Sequence, residues 1–257
     1  GSEMCIRDRV ILVLARPQTT NKWQNSEIEG IDIMLAIDVS TSMLAEDLKP
    51  NRLEAAKDVA AEFINGRPND NIGITLFAGE TFTQCPLTVD HAVLLDMIHN
   101  IKCGLITDGT AVGMGIANAV TRLKDSKAKS KVIILLTDGT NNKGDISPMT
   151  AAEIAKSFGI RVYTIGVGTN GMAPYPYPVG NTVQYVSMPV EIDEKTLTEI
   201  AGTTDGNYFR ATSNSKLKEV YEEIDKLEKT KLNVKEYSKR DEEYHWFALA
   251  AFLCVLL

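Results

Sequence analysis

The sequence predicts a doubly wound α/β domain, with a mainly parallel sheet flanked by helices on both faces. Two observations carry this expectation. Short runs such as Ile31–Val39, Asn71–Phe77 ("NIGITLF") and Lys131–Thr137 ("KVIILLT") are apolar at nearly every position, as strands buried on both sides must be. Between them lie segments whose apolar residues recur every three to four positions, the period of a helix with one buried stripe. Strands that alternate with helices pair in parallel, because each helix carries the chain back across the sheet.

The elements follow in order. A polar connector, Gln18–Gly30, leads into the strand Ile31–Val39 and then a helix over Arg52–Ile64, with Leu53, Ala56, Ala60, Phe63 and Ile64 on one face. Asn71–Phe77 is a strand, and Thr81–Gln84 a short edge strand or turn. A helix over Asp90–Ile101 turns Val93, Leu94, Met97, Ile98 and Ile101 inward, and another runs from Thr110 to Leu123. The strand Lys131–Thr137, the helix Met149–Phe158 and the strand Arg161–Val167 come next. Asp193–Ala201 reads as a helix and Asn207–Phe209 as a short strand. Asn214–Lys229 closes the domain as an amphipathic helix through Leu217, Val220, Tyr221, Ile224 and Leu227.

One segment breaks the alternation. Thr169–Ile192 carries Pro174, Pro176, Pro178 and Pro189, and an insertion of this length is commonly functional or disordered. "PVGN" between two extended runs suggests a small hairpin; a solvated excursion is the alternative.

Of the 257 residues, 44 % are hydrophobic and 24 % charged, a globular and not a disordered composition. The net charge is −7 and no basic cluster is interleaved with aromatics, which excludes a nucleic-acid partner. The ends depart from this average. Val10–Ala15 ("VILVLA") and Trp246–Leu257 ("WFALAAFLCVLL") are apolar runs shorter than the roughly 20 residues a membrane helix needs. They are read as truncated transmembrane helices, with Tyr244, His245 and Trp246 as an interfacial belt. Gly1–Arg9 ("GSEMCIRDR") is foreign to that pattern and is set aside. The expected organisation is therefore an extraneous segment 1–9, the end of a transmembrane helix 10–16, a linker 17–29, the globular domain 30–230 with its insertion 169–192, a juxtamembrane linker 231–245, and the start of a second transmembrane helix 246–257.

Ligands of a parallel α/β sheet gather at the carboxyl ends of its strands. Three segments end there: Asp38-Val-Ser40-Thr-Ser42, Thr137-Asp138-Gly139, and Asp108-Gly109-Thr110-Ala-Val-Gly113. Period-two geometry turns Asp38, Ser40 and Ser42 to one side as the chain leaves its strand. With Thr110 and Asp138 they offer oxygen donors alone, a set suited to Mg²⁺ or Mn²⁺ and not to zinc or copper. The competing reading of these residue types is helix capping and turn chemistry.

DxSxS at the end of a first strand, a later Thr before a helix, and TDG after a buried strand together resemble the von Willebrand factor A (VWA) domain with its metal-ion-dependent adhesion site. The resemblance covers roughly Glu29–Lys229. It implies a Rossmann-like α/β fold and a divalent cation held by Asp38, Ser40, Ser42, Thr110 and Asp138. It also implies an open coordination position that takes an acidic side chain of a protein partner, and no enzymatic activity. Asp108 departs from the family pattern, where many relatives carry a small residue. "LARPQ", "GIDIMLAIDVSTSMLAEDLKPNRLEAAK" and "DGTAVG" further resemble the BatA-type proteins of bacterial aerotolerance operons. That likeness implies a bacterial inner-membrane protein with a periplasmic domain, acting with sister VWA proteins and a MoxR-type ATPase in envelope or oxidative stress.

Other readings compete. A structural subunit would use the metal only to stabilise its fold. A haloacid-dehalogenase-type phosphatase would need a second carboxylate two residues after Asp38 as its general acid, where this chain has Ser40. Gly166-Val-Gly168-Thr-Asn-Gly171 spells GxGxxG, but a dinucleotide site requires a following helix and Met172–Pro178 is hostile to one. Glu46 and Asp47 are read as a charged loop, or else as support for a second cation. Cys85 and Cys103 form either a disulfide or two buried thiols; no metal spacing involves them.

Overall fold

Each long apolar run becomes a strand whose alternate side chains enter two different cores. The computed structural model describes residues 18–20, 30–138, 140–179, 182–231 and 240–242. Strands β1 (Asp32–Asp38), β2 (Asn71–Phe77), β3 (Thr81–Thr88), β4 (Lys131–Thr137), β5 (Arg161–Val167) and β8 (Tyr208–Ala211) form one sheet in the order β3-β2-β1-β4-β5-β8. All neighbours in it pair in parallel except β2 and β3. Helices α1 (Arg52–Asn65), α2 (His91–His99) and α6 (Asn214–Lys231) cover one face. Helices α3 (Val112–Leu123), α4 (Pro148–Ser157) and α5 (Glu194–Thr203) cover the other. Ile33, Leu35 and Ile37 of β1 pack against the first group, and Met34 and Ala36 against the second. The strand is therefore apolar on both faces because both are roofed by helices.

Several helices start where the sequence supplies a cap. Asn51 accepts from the Glu54 amide at 2.8 Å, Asp90 from Val93 at 3.2 Å, Ser147 from Thr150 at 3.1 Å and Asp193 from Thr196 at 3.1 Å. Two expectations change. The edge strand β3 runs on to Thr88 rather than ending at Gln84, with register shifts opposite Ile72–Thr75 where Pro86 cannot join the ladder. Val93 is 44 % exposed, because α2 is short and only Leu94 and Ile98 of it are fully buried.

The insertion folds as a hairpin of β6 (Gly171–Val179) and β7 (Thr182–Val190). Its register pairs Met172 with Pro189, Pro174 with Ser187, Pro176 with Tyr185 and Pro178 with Val183. All four prolines thus occupy one class of cross-strand pair. A proline has no amide to donate, so the other class, including Tyr175–Val186 and Tyr177–Gln184, carries the ladder. The outward edge of β6 is left without N–H donors at 174, 176 and 178, which discourages pairing with another strand. The GxGxxG run ends in this hairpin and not in a helix.

Gln18–Thr20 and Arg240–Glu242 form a separate two-stranded antiparallel ribbon. The expected terminal segments 1–9, 10–16 and 246–257, and most of the two linkers, lie outside the described residues, as does Gly139. No helix among the described residues is long and apolar enough to cross a membrane.

The amino end of the sheet is closed by a buried ion cluster. Glu228 of α6 accepts from Arg161 Nε at 2.9 Å, from Tyr163 Oη at 2.6 Å and from Ser130 Oγ at 2.7 Å. Burial pushes this carboxyl upward, but the hydrogen bonds from Arg161, Tyr163 and Ser130 outweigh it and hold Glu228 below its ordinary value. A carboxyl depressed in the folded state contributes stability that is present above its unfolded pKa and lost as pH falls through the folded one. Glu228→Gln should therefore lower stability near neutral pH by about 3 kcal/mol and flatten the acid limb of the stability curve. Urea titrations between pH 3 and 7 check both effects; an acid limb as steep as in the parent chain would refute the assignment.

Candidate metal centre

The carboxyl edge of the sheet holds a buried cluster of its own. Register places Ile37 of β1 beside Leu136 of β4, so both strands leave the sheet at the same level. Asp38 and Asp138 follow, exposed by 0 % and 3 %. Asp38 Oδ1 accepts from the Ser40 amide at 2.9 Å and Oδ2 from Thr137 Oγ1 at 2.6 Å. Burial, and then the facing Asp138 carboxylate, push Asp38 up to about 7 even though these hydrogen bonds pull it down. Two acids share a dry edge and repel each other.

Ser40 and Ser42 point their hydroxyls together, with Oγ atoms 3.0 Å apart. The chain between and beyond them forms a 3₁₀ turn, Thr41–Leu44, that has no side-chain cap from Ser40. Capping therefore does not account for Ser40. Nor does it account for Thr110. The first amides at α3 are served by Asn141 and Asn142 from the loop after β4: Val112 N donates to Asn141 Oδ1 at 2.9 Å and Thr110 N to Asn142 Oδ1 at 2.8 Å. In return the Thr110 carbonyl accepts from the amides of Asn142 and Lys143. Thr110 is buried beside the loop that follows Asp138, joined to it through the main chain. Gly113 permits this approach, since a Cβ there would lie 2.1 Å from the Ile146 carbonyl oxygen.

Asp108 acquires a role. Its carboxylate accepts from Thr41 N at 3.1 Å and from Thr41 Oγ1 at 3.0 Å, fastening the α3 entry loop to the Ser40–Ser42 segment. Burial would raise it, but hydrogen bonds from the Thr41 and Gly109 amides and the Thr41 hydroxyl, with Lys143 nearby, keep it below the ordinary aspartate value. Asp38 at the end of β1 and the other four expected residues, on the three segments that follow or precede the elements, thus lie on one stitched rim.

Sequence reasoning missed the cation of this edge. Arg52, fully buried at the first turn of α1, pairs bidentately with Asp47 (Nε–Oδ1 and Nη2–Oδ2 both 2.7 Å) and stands 3.6 Å from Asp138 Oδ2. A signal existed: an arginine at a helix amino end opposes the helix dipole unless a carboxylate holds it. Asp47 is correspondingly not free to support a second cation. Its carboxyl, raised by burial, is brought below the ordinary value by Arg52 and the Thr169 amide. Cys85 and Cys103 are free thiols; Cys103 Sγ lies 3.5 Å from the Ser40 carbonyl oxygen, and burial pushes it up to about 12.

The donor set fits a hard dication. Asp38, Asp138, Ser40, Ser42 and Thr110 supply oxygen alone, and Asp38, Asp138 and Asp47 outnumber Arg52 by two charges. A six-stranded, mainly parallel sheet with helices on both faces and this rim defines the class: an α/β domain with an oxygen-lined site at the carboxyl edge.

Residues 32–223 match the model of the von Willebrand factor type A domain, and the chain belongs to that family. It is similar to the solved BatB of Bacteroides thetaiotaomicron (35 % identity, TM-score 0.70, 78 % of this chain and 100 % of that one). It is also similar to an aerotolerance-related membrane protein of Bacteroides fragilis (34 %, TM-score 0.68, 77 % and 100 %). A mussel byssus proximal thread matrix protein with a zinc-occupied MIDAS motif aligns at 25 % identity and TM-score 0.61, over 77 % of this chain and 46 % of that one. Curated relatives include an uncharacterized protein of Borreliella burgdorferi (28 % identity over 96 % of this chain and 73 % of the relative) and a UPF0353 protein of Mycolicibacterium paratuberculosis (30 %, 85 % and 66 %). The chain thus spans about two thirds to three quarters of these relatives.

Gly168, at φ +130°, lies so close to Arg52 that a Cβ would sit 2.5 Å from the guanidinium carbon. Gly168→Ala should cost about 1–3 kcal/mol, through backbone strain and displacement of Arg52. Thermal unfolding checks this; an unchanged melting temperature would show that the arginine moves aside freely.

Proposed function

We propose that this chain is a membrane-anchored, non-enzymatic VWA domain that binds a divalent cation, Mg²⁺ or Mn²⁺, through Asp38, Ser40, Ser42, Thr110 and Asp138, and captures a partner protein's Asp or Glu carboxylate there. The observation that carries this reading is the pair of buried, mutually repelling carboxylates at one sheet edge, beside two hydroxyls that cap no helix. A bound dication supplies the missing positive charge and a Lewis-acid position for an incoming carboxylate. The chain's own residues do the rest. Thr137 and the Ser40 amide orient Asp38, Asp108 fixes the Ser40–Ser42 loop, and Asn142 fixes Thr110. The zinc-occupied MIDAS of the byssus relative supports a metal in this class of site.

The aerotolerance-related membrane protein among the relatives supports a membrane setting; to that our reading adds a bacterial inner membrane, a domain on its periplasmic side, and sister VWA proteins with a MoxR-type ATPase as companions. Ser40 stands where a phosphatase of the haloacid-dehalogenase type needs its general acid, and its hydroxyl faces Ser42 instead.

Asp38→Ala should weaken Mg²⁺ binding about 100-fold or more by calorimetry, beyond what loss of a supporting residue costs. It should also abolish Mg²⁺-dependent crosslinks formed from Tyr177 to membrane partners. Crosslinks that persist at full yield in Asp38→Ala would sink the metal-bridge reading. The same crowding of carboxylates favours a second reading, in which the cation only stabilises the fold. Chelation that lowers the melting temperature while the crosslinks survive would select it.

A further inference from the structure

The hairpin is fastened to the candidate metal centre by both of its legs. On the entry leg, Thr169 donates from N at 2.7 Å and from Oγ1 at 3.2 Å to Asp47 Oδ2, the oxygen that also receives Arg52 Nη2. Arg52 Nη1 in turn faces Asp138 Oδ2. On the exit leg, Asp193 N donates to the Asp138 carbonyl oxygen at 3.2 Å. Asn170 Oδ1 accepts from Ile192 N at 3.2 Å, tying the two legs together. Higher up, the Glu46 amide donates to the Pro174 carbonyl oxygen at 2.9 Å, on the edge of β6 that its prolines strip of donors. The carbonyl of Asp138 thus holds the exit root directly, while its carboxylate reaches the entry root through Arg52 and Asp47.

What the hairpin presents is distinctive. Gly171–Val190 contains no Asp, Glu, Lys, Arg or His in a chain that is 24 % charged. Met172, Tyr177, Tyr185, Val186 and Met188 are exposed on it. The surface carries no charge of its own, and its one hydrogen bond to an ionic group recorded among the described residues joins Tyr185 to the neighbouring Glu46. It complements the apolar and aromatic neighbours of a carboxylate and leaves the charge to the metal centre.

We propose that Arg52 is the positioning residue that joins metal centre and hairpin into one binding surface, matched to a partner segment with one acidic residue flanked by apolar or aromatic ones. The proposal rests on the cation-binding reading above. With Asp138 committed to a dication, the guanidinium keeps Asp47 as its partner, and Asp47 grips Thr169. Without the dication, Arg52 is drawn to both carboxylates and the grip on the hairpin root is shared. The planar fork matters here: lysine keeps the charge but cannot make the two parallel bonds to Asp47.

Hydrogen–deuterium exchange of the full chain, with and without Mg²⁺ as the probe, tests this alongside Mg²⁺ calorimetry. In the parent chain Mg²⁺ should slow exchange at Thr169–Ala173 about tenfold. In Arg52→Lys and in Asp47→Asn, Mg²⁺ should still bind while this slowing disappears; a purely structural role would change exchange equally with and without the ion. If Arg52→Lys does not fold, Asp47→Asn carries the comparison. Mg²⁺ binding with no change at the hairpin of the parent chain would overturn the coupling and leave the cation reading intact. So would a hairpin that still responds in either variant. A parent chain that binds no Mg²⁺ would overturn both.

Discussion

The rim of this domain is organised around the juxtaposition of Asp38 and Asp138. Parallel pairing of β1 with β4 brings the two chain exits to one level, so neither aspartate can leave the other's field without breaking the sheet. Burial denies both carboxylates the water that would screen them, which is why Asp38 is pushed up to about 7. Such an edge tends to splay open. The Asp108–Thr41, Asn142–Thr110 and Asn141–Val112 hydrogen bonds oppose that tendency by stitching three loops together before any ligand arrives. Preorganised donors cost less to fill than donors that must first be gathered.

Each end of the sheet carries its own buried charge cluster. At the amino end, Glu228 is matched by Arg161, Tyr163 and Ser130, and the buried Asp32 carboxylate accepts from Asn71 Nδ2 and Ser126 Oγ. At the carboxyl end, Arg52 serves two carboxylates and Asp38 remains in excess. A satisfied cluster locks α6 to the strands.

The hairpin β6–β7 adds a feature that the sheet alone does not supply. Its prolines share one register class, so the ladder survives while the outer edge is closed to strand addition. Contact with other molecules is thereby left to side chains, and those side chains carry no charge. Its roots converge on the residues that surround the acidic edge. Position, not composition, links it to the site.

Much of this was legible in the chain itself. Strands β2, β4 and β5 begin and end where their apolar runs do, because a strand roofed on both faces must be apolar throughout. Asp38, Ser40 and Ser42 were legible from alternation, and Thr110 and Asp138 from their places at element ends. Less visible were β3 beyond Gln84, where a proline interrupts the pattern, and the outward face of Val93, where helix length decides exposure. Invisible were the partners of Arg52 and what its Asp47 holds: Asp47 lies 5 residues away, but Asp138 follows a distant strand, and so does Thr169, which donates to Asp47. The amino-acid order by itself determined the layers of the fold and the kinds of donor at its edge, because hydrophobic period and side-chain chemistry are local properties. Which carboxylates face each other, which one a buried arginine claims, and where the hairpin roots were decided only in the tertiary structure, because charge interactions depend on distance in space and burial makes that distance count.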